Sequence, residues 1–351
     1  MEQRKRALVL GGLGVIGRNL VRHLTELDDW DVIAVSRREP DFETRADYRA
    51  IDLLDESVCL RELGALDDLT HVFFAAYQAQ PTRAEEVQPN LAMLVNAVTA
   101  VEQSSSGLQH ISLMQGGKVY GCHLGPFKTP AKESDPRHLP PNFYYDQEDY
   151  LRARQVGKTW TWSALRPEAV CGFALGNPMN IAMVIAIYAT LSKELGLPLR
   201  FPGKPGAYSS LYQVTDAELL ARATVWAATE RACGNEAFNI TNGDYFRWKN
   251  LWPRFAEFFD MELGDPQTIR LTEVMPGLEP AWEECVQRHD LQRYPYEDVA
   301  HWGFGDVVFG IDYDNISSTL KARRFGFNDC RDTGEMFLDL FERLRRERVI
   351  P

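Results

Sequence analysis

The stretch ALVLGGLGVIGRNLVRHL, from Ala7 to Leu24, decides the fold of this chain. A short apolar run meets three glycines, Gly11, Gly14 and Gly17, and apolar residues then recur at helical spacing. This order predicts a strand, a tight turn and a helix. In such a turn glycine permits the bend, lets a pyrophosphate approach the backbone and lets the helix pack closely on the strand. The stretch therefore favours a dinucleotide site over an ordinary strand-to-helix turn.

Strands and helices continue to alternate after this turn. Further strands are predicted at 31–35, 48–51, 71–77 and 110–115, with a long helix at 84–102. The alternation predicts an α/β fold of the Rossmann type, a doubly wound parallel sheet with helices on both faces. We expect residues 1–173 to form the dinucleotide-binding domain. Residues 174–351 are expected to form a smaller substrate-binding region, interleaved with returning elements of the first domain.

Ligands of such sheets bind beyond the carboxyl ends of the strands. Gln115 and Lys118 lie at this rim, after the fifth predicted strand. The residues predicted to bind the cofactor from the glycine turn and the strand ends are Gly11, Leu13, Gly14, Val15, Ile16, Gly17, Ser36, Arg37, Arg38, Asp52, Leu53, Ala75, Ala76, Tyr77 and Gln115.

The end of the second strand indicates which cofactor is used. An acidic residue there bonds the ribose 2′-hydroxyl of NAD, whereas arginine pairs with the 2′-phosphate of NADP. The sequence has Ser36, Arg37 and Arg38, and no acid before Glu39. NADPH is therefore the predicted cofactor.

Composition excludes several classes of function. The net charge of −12 argues against a nucleic-acid partner. The longest apolar run, 181–191, is too short to span a bilayer, and no signal pattern precedes the first strand, so we expect a cytoplasmic protein with no membrane partner. Six scattered cysteines and seven scattered histidines form no ligand-spaced group, so no metal site is predicted. A small molecule is the expected partner, and a homodimer is compatible with the sequence.

A nicotinamide site needs a group that stabilises charge on the substrate oxygen. Short-chain dehydrogenases use Tyr-x-x-x-Lys, in which the ammonium lowers the pKa of the phenol. Here Tyr144 is followed four residues later by Glu148, and Tyr145 by Asp149. The literal match from Tyr245 lies far from the expected place and is interpreted as a coincidence.

The lysine stands instead at Lys118, in QGGKVYG. With that lysine, the stretches GGLGVIG, SRR, HVFFAAY, GPF, NFYYDQED, ALRP and NGDYFRWKNLW make the chain resemble the progesterone 5β-reductase and iridoid synthase-like reductases, an atypical branch of the extended short-chain dehydrogenases. The matching stretches run from about residue 7 to 260. The chain departs from the plant members in a longer segment, VYGCHL, between Lys118 and Gly125.

The resemblance implies NADPH-dependent hydride addition to the carbon–carbon double bond of an enone or enal. It implies that Tyr144 is the catalytic tyrosine and Lys118 its partner, with Tyr145 as the competing choice. The other residues to which it gives a role are Arg166, Pro167 and Val170 beside the nicotinamide, and Phe127, Met179, Asn180 and Phe309 (or Tyr313) around the substrate.

Two alternatives stay open at this point. One is an extended short-chain dehydrogenase that acts on a nucleotide sugar as epimerase or dehydratase, and the other is a non-catalytic sensor of NADP(H). The absent Tyr-x-x-x-Lys disfavours the first, and the presence of both Lys118 and Tyr144 disfavours the second.

Overall fold

The computed structural model describes residues 4–40, 42–177 and 179–351. Its strands are β1 (Lys5–Leu10), β2 (Trp30–Ser36), β3 (Asp47–Ala50), β4 (His71–Phe74), β5 (His110–Met114), β6 (Thr161–Pro167), β7 (Val170–Cys171), β8 (Thr215–Asp216) and β9 (Glu236–Ile240). Its helices are α1 (Val15–Glu26), α2 (Glu56–Glu62), α3 (Arg83–Ser104), α4 (Phe143–Gln155), α5 (Ile181–Glu194), α6 (Pro205–Ser209), α7 (Ala217–Thr229), α8 (Trp248–Phe258), α9 (Leu271–Val274), α10 (Glu279–Arg288), α11 (Tyr296–Val299), α12 (Trp302–Phe309), α13 (Leu320–Arg324) and α14 (Thr333–Arg346).

Seven of these strands form one parallel sheet in the order β3-β2-β1-β4-β5-β6-β9. Its central strands β4 and β5 are buried along their whole length, as expected for a parallel sheet covered on both faces. The strand order reverses between β1 and β4, and this reversal opens the crevice in which a doubly wound sheet binds its ligand. The predicted Rossmann-type fold is confirmed.

The chain returns to the sheet after residue 174. Strand β9 pairs with β6, and α7 packs against α1, where Ala221 and Ala228 share a cluster with Leu20 and Val21. The rest of the C-terminal region packs around a separate aromatic core that includes Phe201, Trp248, Trp252, Phe309, Phe337 and Phe341.

Side chains cap the starts of two helices. Asn142 accepts a hydrogen bond from the Tyr144 backbone N–H at the start of α4, and Asp216 accepts one from the Leu219 N–H at the start of α7. Pro205 begins the short helix α6. In the described residues no helix combines the length and apolar character needed to cross a bilayer.

Candidate active site

The glycine turn closes tightly against the end of β4. Gly11 has a positive φ of 88°, and a Cβ there would lie 2.7 Å from the Ala76 backbone nitrogen. A Cβ at Gly17 would overlap the Gly11 carbonyl oxygen, so the third glycine is needed to bring α1 onto β1. The turn leaves the N-terminus of α1 facing the crevice, where free N–H groups attract phosphate.

A cavity of about 520 Å³ lies at this crevice. Most of the residues predicted to bind the cofactor line it: Gly11, Leu13, Gly14, Val15, Ile16, Ser36, Arg37, Arg38, Asp52, Leu53, Ala75, Ala76 and Tyr77. Five other lining residues were missed by the sequence analysis: Val35, Ile51, Gln78, Met93 and Asn177.

Asn177 is the most informative of the residues that were missed. Its Oδ1 accepts a hydrogen bond of 2.9 Å from the Val15 backbone N–H, the first residue of α1. A side-chain oxygen therefore already occupies the end of α1 that a phosphate oxygen would approach. No local signal in the sequence could have found this contact, since the two residues are 162 positions apart.

The rim of the cavity carries positive charge. Arg37 and Arg38 follow β2 and are exposed, and neither guanidinium forms an ion pair with a carboxylate of the described residues. Together with the Gly11 cradle and the N-terminus of α1, these arginines make the crevice fit a nicotinamide dinucleotide.

Other predicted cofactor residues are placed away from the cavity wall. The Arg166 guanidinium is buried, donating to Gln115 Oε1 (2.8 Å), Glu148 Oε2 (3.0 Å) and the Tyr120 hydroxyl (3.1 Å). Gln115 Nε2 donates in turn to Glu148 and to the Tyr144 carbonyl oxygen. Because a buried guanidinium needs partners, Arg166 and Gln115 brace α4 against the sheet.

Pro167 and Val170, the other two residues predicted beside the nicotinamide, make different contacts. Val170 is buried in an apolar cluster with Val15 and Met114, so its side chain belongs to the core. The Pro167 carbonyl oxygen lies 3.4 Å from the position that a Cβ on Gly116 would take. The Tyr144 hydroxyl lies 3.5 Å from the same position, which places Pro167 near the predicted catalytic phenol.

One residue, Asn142, ties together the two segments that carry Lys118 and Tyr144. Its Nδ2 donates to the Lys118 carbonyl oxygen (2.9 Å), and its Oδ1 accepts from the Tyr144 N–H (3.1 Å). Lys118 lies in a 3₁₀ turn, Gly117–Tyr120, directly after Gly116, over which the Tyr144 hydroxyl sits. The N-cap of α4 therefore holds the lysine turn and the tyrosine helix side by side.

Both functional groups are available to a ligand. The hydrogen bonds of Tyr144 use only its backbone, and its half-buried hydroxyl has no partner within the described residues. Across the same residues the Lys118 ammonium forms no ion pair. An unpaired phenol and an unpaired ammonium beside an apolar wall can stabilise a developing oxyanion.

The competing tyrosine has a structural role. The buried Tyr145 hydroxyl donates to the Val119 carbonyl oxygen (2.8 Å) and accepts from the His138 backbone N–H (2.9 Å). The Tyr145 hydroxyl therefore both donates to and accepts from the backbone. Of the two adjacent phenols, Tyr144 is the one whose hydroxyl has no partner in the described residues and can contact a substrate.

The electrostatics of Tyr144 differ from the sequence-based expectation. Burial raises the pKa of the Tyr144 phenol well above its ordinary value, and the nearby Glu86 carboxylate raises it further. Glu86 is held in place by the Tyr77 hydroxyl, which donates to it. Tyr144 is therefore a neutral hydrogen-bond donor at physiological pH and not the ionised phenol that an ammonium one helical turn away would favour.

Of the four predicted substrate residues, two lie at the site and two are buried in the core. Phe127 borders the same small apolar cluster as Tyr144, and Met179 lines the cavity. Asn180 is buried, and its Nδ2 donates to the Gly172 carbonyl oxygen (2.7 Å), so it fixes the loop before α5. Phe309 is also buried, because it packs edge-on against Trp248 and other rings of the aromatic core. Asn180 and Phe309 are therefore core residues. Tyr313, named as an alternative to Phe309, donates to the Cys122 carbonyl oxygen at 2.5 Å.

One group of possible metal ligands lies elsewhere. Side-chain donor atoms of Glu194, Cys285 and His289 lie within 4.8 Å of one another. Glu194 already pairs with the Arg288 guanidinium (2.5 Å) and with His289 Nε2 (2.9 Å). These contacts account for its carboxylate without a metal.

The fold and the cavity define a dinucleotide-binding protein of the extended short-chain dehydrogenase class. The PRISE-like Rossmann-fold domain matches residues 50–351, and the chain belongs to this family. It is 34% identical to a 3-oxo-Δ4,5-steroid 5β-reductase of Arabidopsis thaliana, over 98% of this chain and 93% of that protein. It is 33% identical to an (S)-8-oxocitronellyl enol synthase of Nepeta racemosa, over the same shares of the two chains. The predicted membership of the progesterone 5β-reductase and iridoid synthase-like reductases is confirmed.

Two further likenesses complete the comparison. A short chain dehydrogenase of Penicillium aethiopicum is 33% identical, with 99% of both chains covered. Among solved structures, a UDP-glucose 4-epimerase of Thermotoga maritima superposes with a TM-score of 0.71 at 20% identity, covering 97% of this chain and 99% of the epimerase. The likeness to the epimerase shows that the two proteins share a fold.

Proposed function

We propose that this protein is an NADPH-dependent reductase that adds hydride to the β-carbon of an enone or enal. The observation that carries the proposal is that Asn142 holds the Lys118 turn beside the Tyr144 helix, while neither the Tyr144 hydroxyl nor the Lys118 ammonium has a partner in the described residues. The names of the steroid reductase and enol synthase relatives support it. The proposal includes a cytoplasmic location and is compatible with a homodimer.

The cofactor would be held by residues of the cavity already described. The N-terminus of α1 would receive the pyrophosphate, and Arg37 with Arg38 would pair with the 2′-phosphate. When bound, the reduced nicotinamide supplies the hydride.

Tyr144 and Lys118 would act on the substrate carbonyl oxygen. As negative charge develops there, the neutral phenol donates a hydrogen bond and the ammonium supplies positive charge. Because its raised pKa keeps the proton on Tyr144, the phenol stabilises the enolate without giving up that proton. Conjugate reduction needs such a donor, since the oxygen regains its carbonyl form when the α-carbon is protonated.

The epimerase-like fold does not favour sugar chemistry at this site. The residue four positions after Tyr144 is Glu148, and its carboxylate is paired with Arg166 and Arg152. The lysine that favours the ionised tyrosine in the usual Tyr-x-x-x-Lys pair is therefore absent from this position.

The test compares two adjacent tyrosines. NADPH oxidation is followed with 2-cyclohexen-1-one as substrate. Tyr144→Phe should lower kcat by about 100-fold or more, the usual loss for one oxyanion donor, with NADPH affinity unchanged. Tyr145→Phe should keep kcat within a few-fold and cost about 1 kcal/mol of stability, because its hydroxyl bonds only backbone. Equal kcat for Tyr144→Phe and wild type, or turnover of a UDP-sugar and of no enone, would refute the proposal.

A further inference from the structure

Four basic side chains gather beside the catalytic turn: Arg83, Lys118, His123 and His138. We refer to them as the basic corner. An Arg83 Nη donates to the His123 carbonyl oxygen at 3.3 Å. A Cβ on Gly121 would lie 2.6 Å from the His138 ring, so this ring packs directly on the turn that begins at Lys118. His123 comes from VYGCHL, the segment between Lys118 and Gly125.

The basic corner has no acidic counterpart inside the protein. Within the residues that the structure describes, neither Arg83 nor Lys118 forms an ion pair. His123 Nδ1 is buried and has no hydrogen-bond partner in the same residues. Burial, together with Arg83, Lys118 and His138, lowers the pKa of His123 to about 4, and no carboxylate acts against them. His123 is therefore neutral at physiological pH, and Arg83 and Lys118 carry the positive charge of the corner.

The acidic groups nearest in sequence to Arg83 are already engaged. Glu85 closes the capping box of α3 with Thr82, and Glu86 accepts a hydrogen bond from Tyr77. An unpaired arginine with no acid to neutralise it is suited to an external anion, which its planar guanidinium can bind in a bidentate manner.

The basic corner lies beside the proposed oxyanion site and outside the dinucleotide cavity. None of its members lines the dinucleotide cavity, whose phosphate-binding groups are Arg37, Arg38 and the end of α1. Lys118 is common to the corner and to the proposed oxyanion site, and Cys122, next to His123, is close enough to Tyr144 to influence its pKa. A substrate whose carbonyl meets Tyr144 can therefore place another group at Arg83.

We propose that the substrate is an enone or enal that carries a carboxylate, and that Arg83 and His123 bind this carboxylate. The inference rests on the proposed reductase function and narrows its substrate class. Arg83 supplies charge and a bidentate contact, and neutral His123 supplies a ring N–H donor. Lys118 remains with the carbonyl oxygen.

The experiment uses a matched pair of substrates, a medium-chain 2-enal with a terminal carboxylate and its methyl ester. We expect kcat/KM for the acid to exceed that for the ester by about tenfold or more at low salt, and the ratio to shrink as salt screens the pairing. Arg83→Gln should bring the ratio close to one. The control Arg61→Gln, an exposed arginine on α2 that pairs with its neighbour Glu62, should keep the wild-type ratio.

The ratio separates this inference from the proposed function. Loss of folded enzyme lowers both rates together and leaves the ratio unchanged. If wild type reduces the ester as well as the acid, or if Arg83→Gln keeps the preference, the carboxylate proposal is wrong while the reductase stands. If neither compound nor 2-cyclohexen-1-one is reduced, the reductase proposal itself fails.

Discussion

At the scale of single residues, we propose that Arg37 and Arg38 determine the choice of cofactor. Both are exposed at the end of β2, and both line the cavity. A phosphate placed between two unpaired guanidinium groups gains charge-assisted hydrogen bonds that a ribose hydroxyl cannot match.

We therefore expect Arg37→Ala to weaken NADPH binding by about 10–100-fold and NADH binding by much less, since each charged hydrogen bond contributes about 1.5–3 kcal/mol. Fluorescence titration of the two cofactors measures both affinities. Arg49→Ala, which removes an arginine on β3 that pairs with Asp47, serves as the control. Equal losses for NADPH and NADH would contradict the phosphate role of Arg37.

Individual residues also show which contacts of the site the sequence does not predict. The glycine turn follows a local rule, so the sequence predicts it. Arg166 and Phe309 were assigned to ligands, yet both side chains are buried. The ion-pair partner of Arg166 is Glu148, on another element, and the rings that contact Phe309 come from distant segments. Contacts between distant segments leave no local pattern, which is also why Asn177 was missed.

At the scale of elements, the approach of α1 to β1 determines whether the cavity forms. Gly17 is buried, and the Gly11 carbonyl oxygen fills the space that a Cβ would need. The obstruction is backbone, so no side chain can rotate away to relieve it.

Gly17→Ala should lower the free energy of unfolding by about 1–3 kcal/mol, the usual cost of overpacking, and should weaken NADPH binding because α1 must shift. Gly107→Ala is the matched control, since a Cβ at Gly107 meets no atom within 4 Å. Urea denaturation and NADPH titration compare the two variants. An unchanged NADPH affinity in Gly17→Ala would show that the position of α1 does not govern the phosphate site.

Elements also differ in how well the sequence predicts them. The long helix α3 was predicted to within about two residues, because apolar positions recur on one of its faces. The helices between residues 265 and 325 are shorter, with four to ten residues each. So few positions do not establish a period, and tertiary packing in the aromatic core decides their conformation.

At the scale of the whole molecule, Glu168 joins the C-terminal region to the sheet. This buried carboxyl group follows β6 and accepts hydrogen bonds from Ser317 Oγ (2.7 Å) and Asn315 Nδ2 (3.2 Å). Its oxygens also lie directly under Gly117, at the base of the lysine turn. Three distant parts of the chain therefore meet at one group that can titrate.

Burial raises the pKa of Glu168 to about 7 from an ordinary 4.5, since the bonds from Ser317 and Asn315 only partly offset the loss of water. The folded protein therefore holds a proton that the unfolded chain releases near pH 4.5. Stability from this group is fully present below pH 4.5 and is lost as pH rises through about 7. With about 1.4 kcal/mol for each pH unit, the loss amounts to about 2–3 kcal/mol between pH 5 and 8.

Glu168→Gln should remove this loss. The amide still accepts from Ser317, and it can donate to Asn315 Oδ1, a buried atom that has no partner in the described residues. Urea unfolding from pH 5 to 8 should show the free energy of unfolding of wild type falling relative to Glu168→Gln by about 2–3 kcal/mol.

Two buried histidines do not affect this comparison. Burial lowers the pKa of His71 to about 4 and that of His110 to about 3. Their contribution to the free energy of unfolding rises as pH rises toward 6.5, equally in both proteins, so it cancels in the difference. Glu342→Gln, an exposed position on α14, should keep the wild-type profile. Parallel pH profiles for wild type and Glu168→Gln would mean that Glu168 is ionised throughout, and that the three segments tolerate a buried charge where they meet.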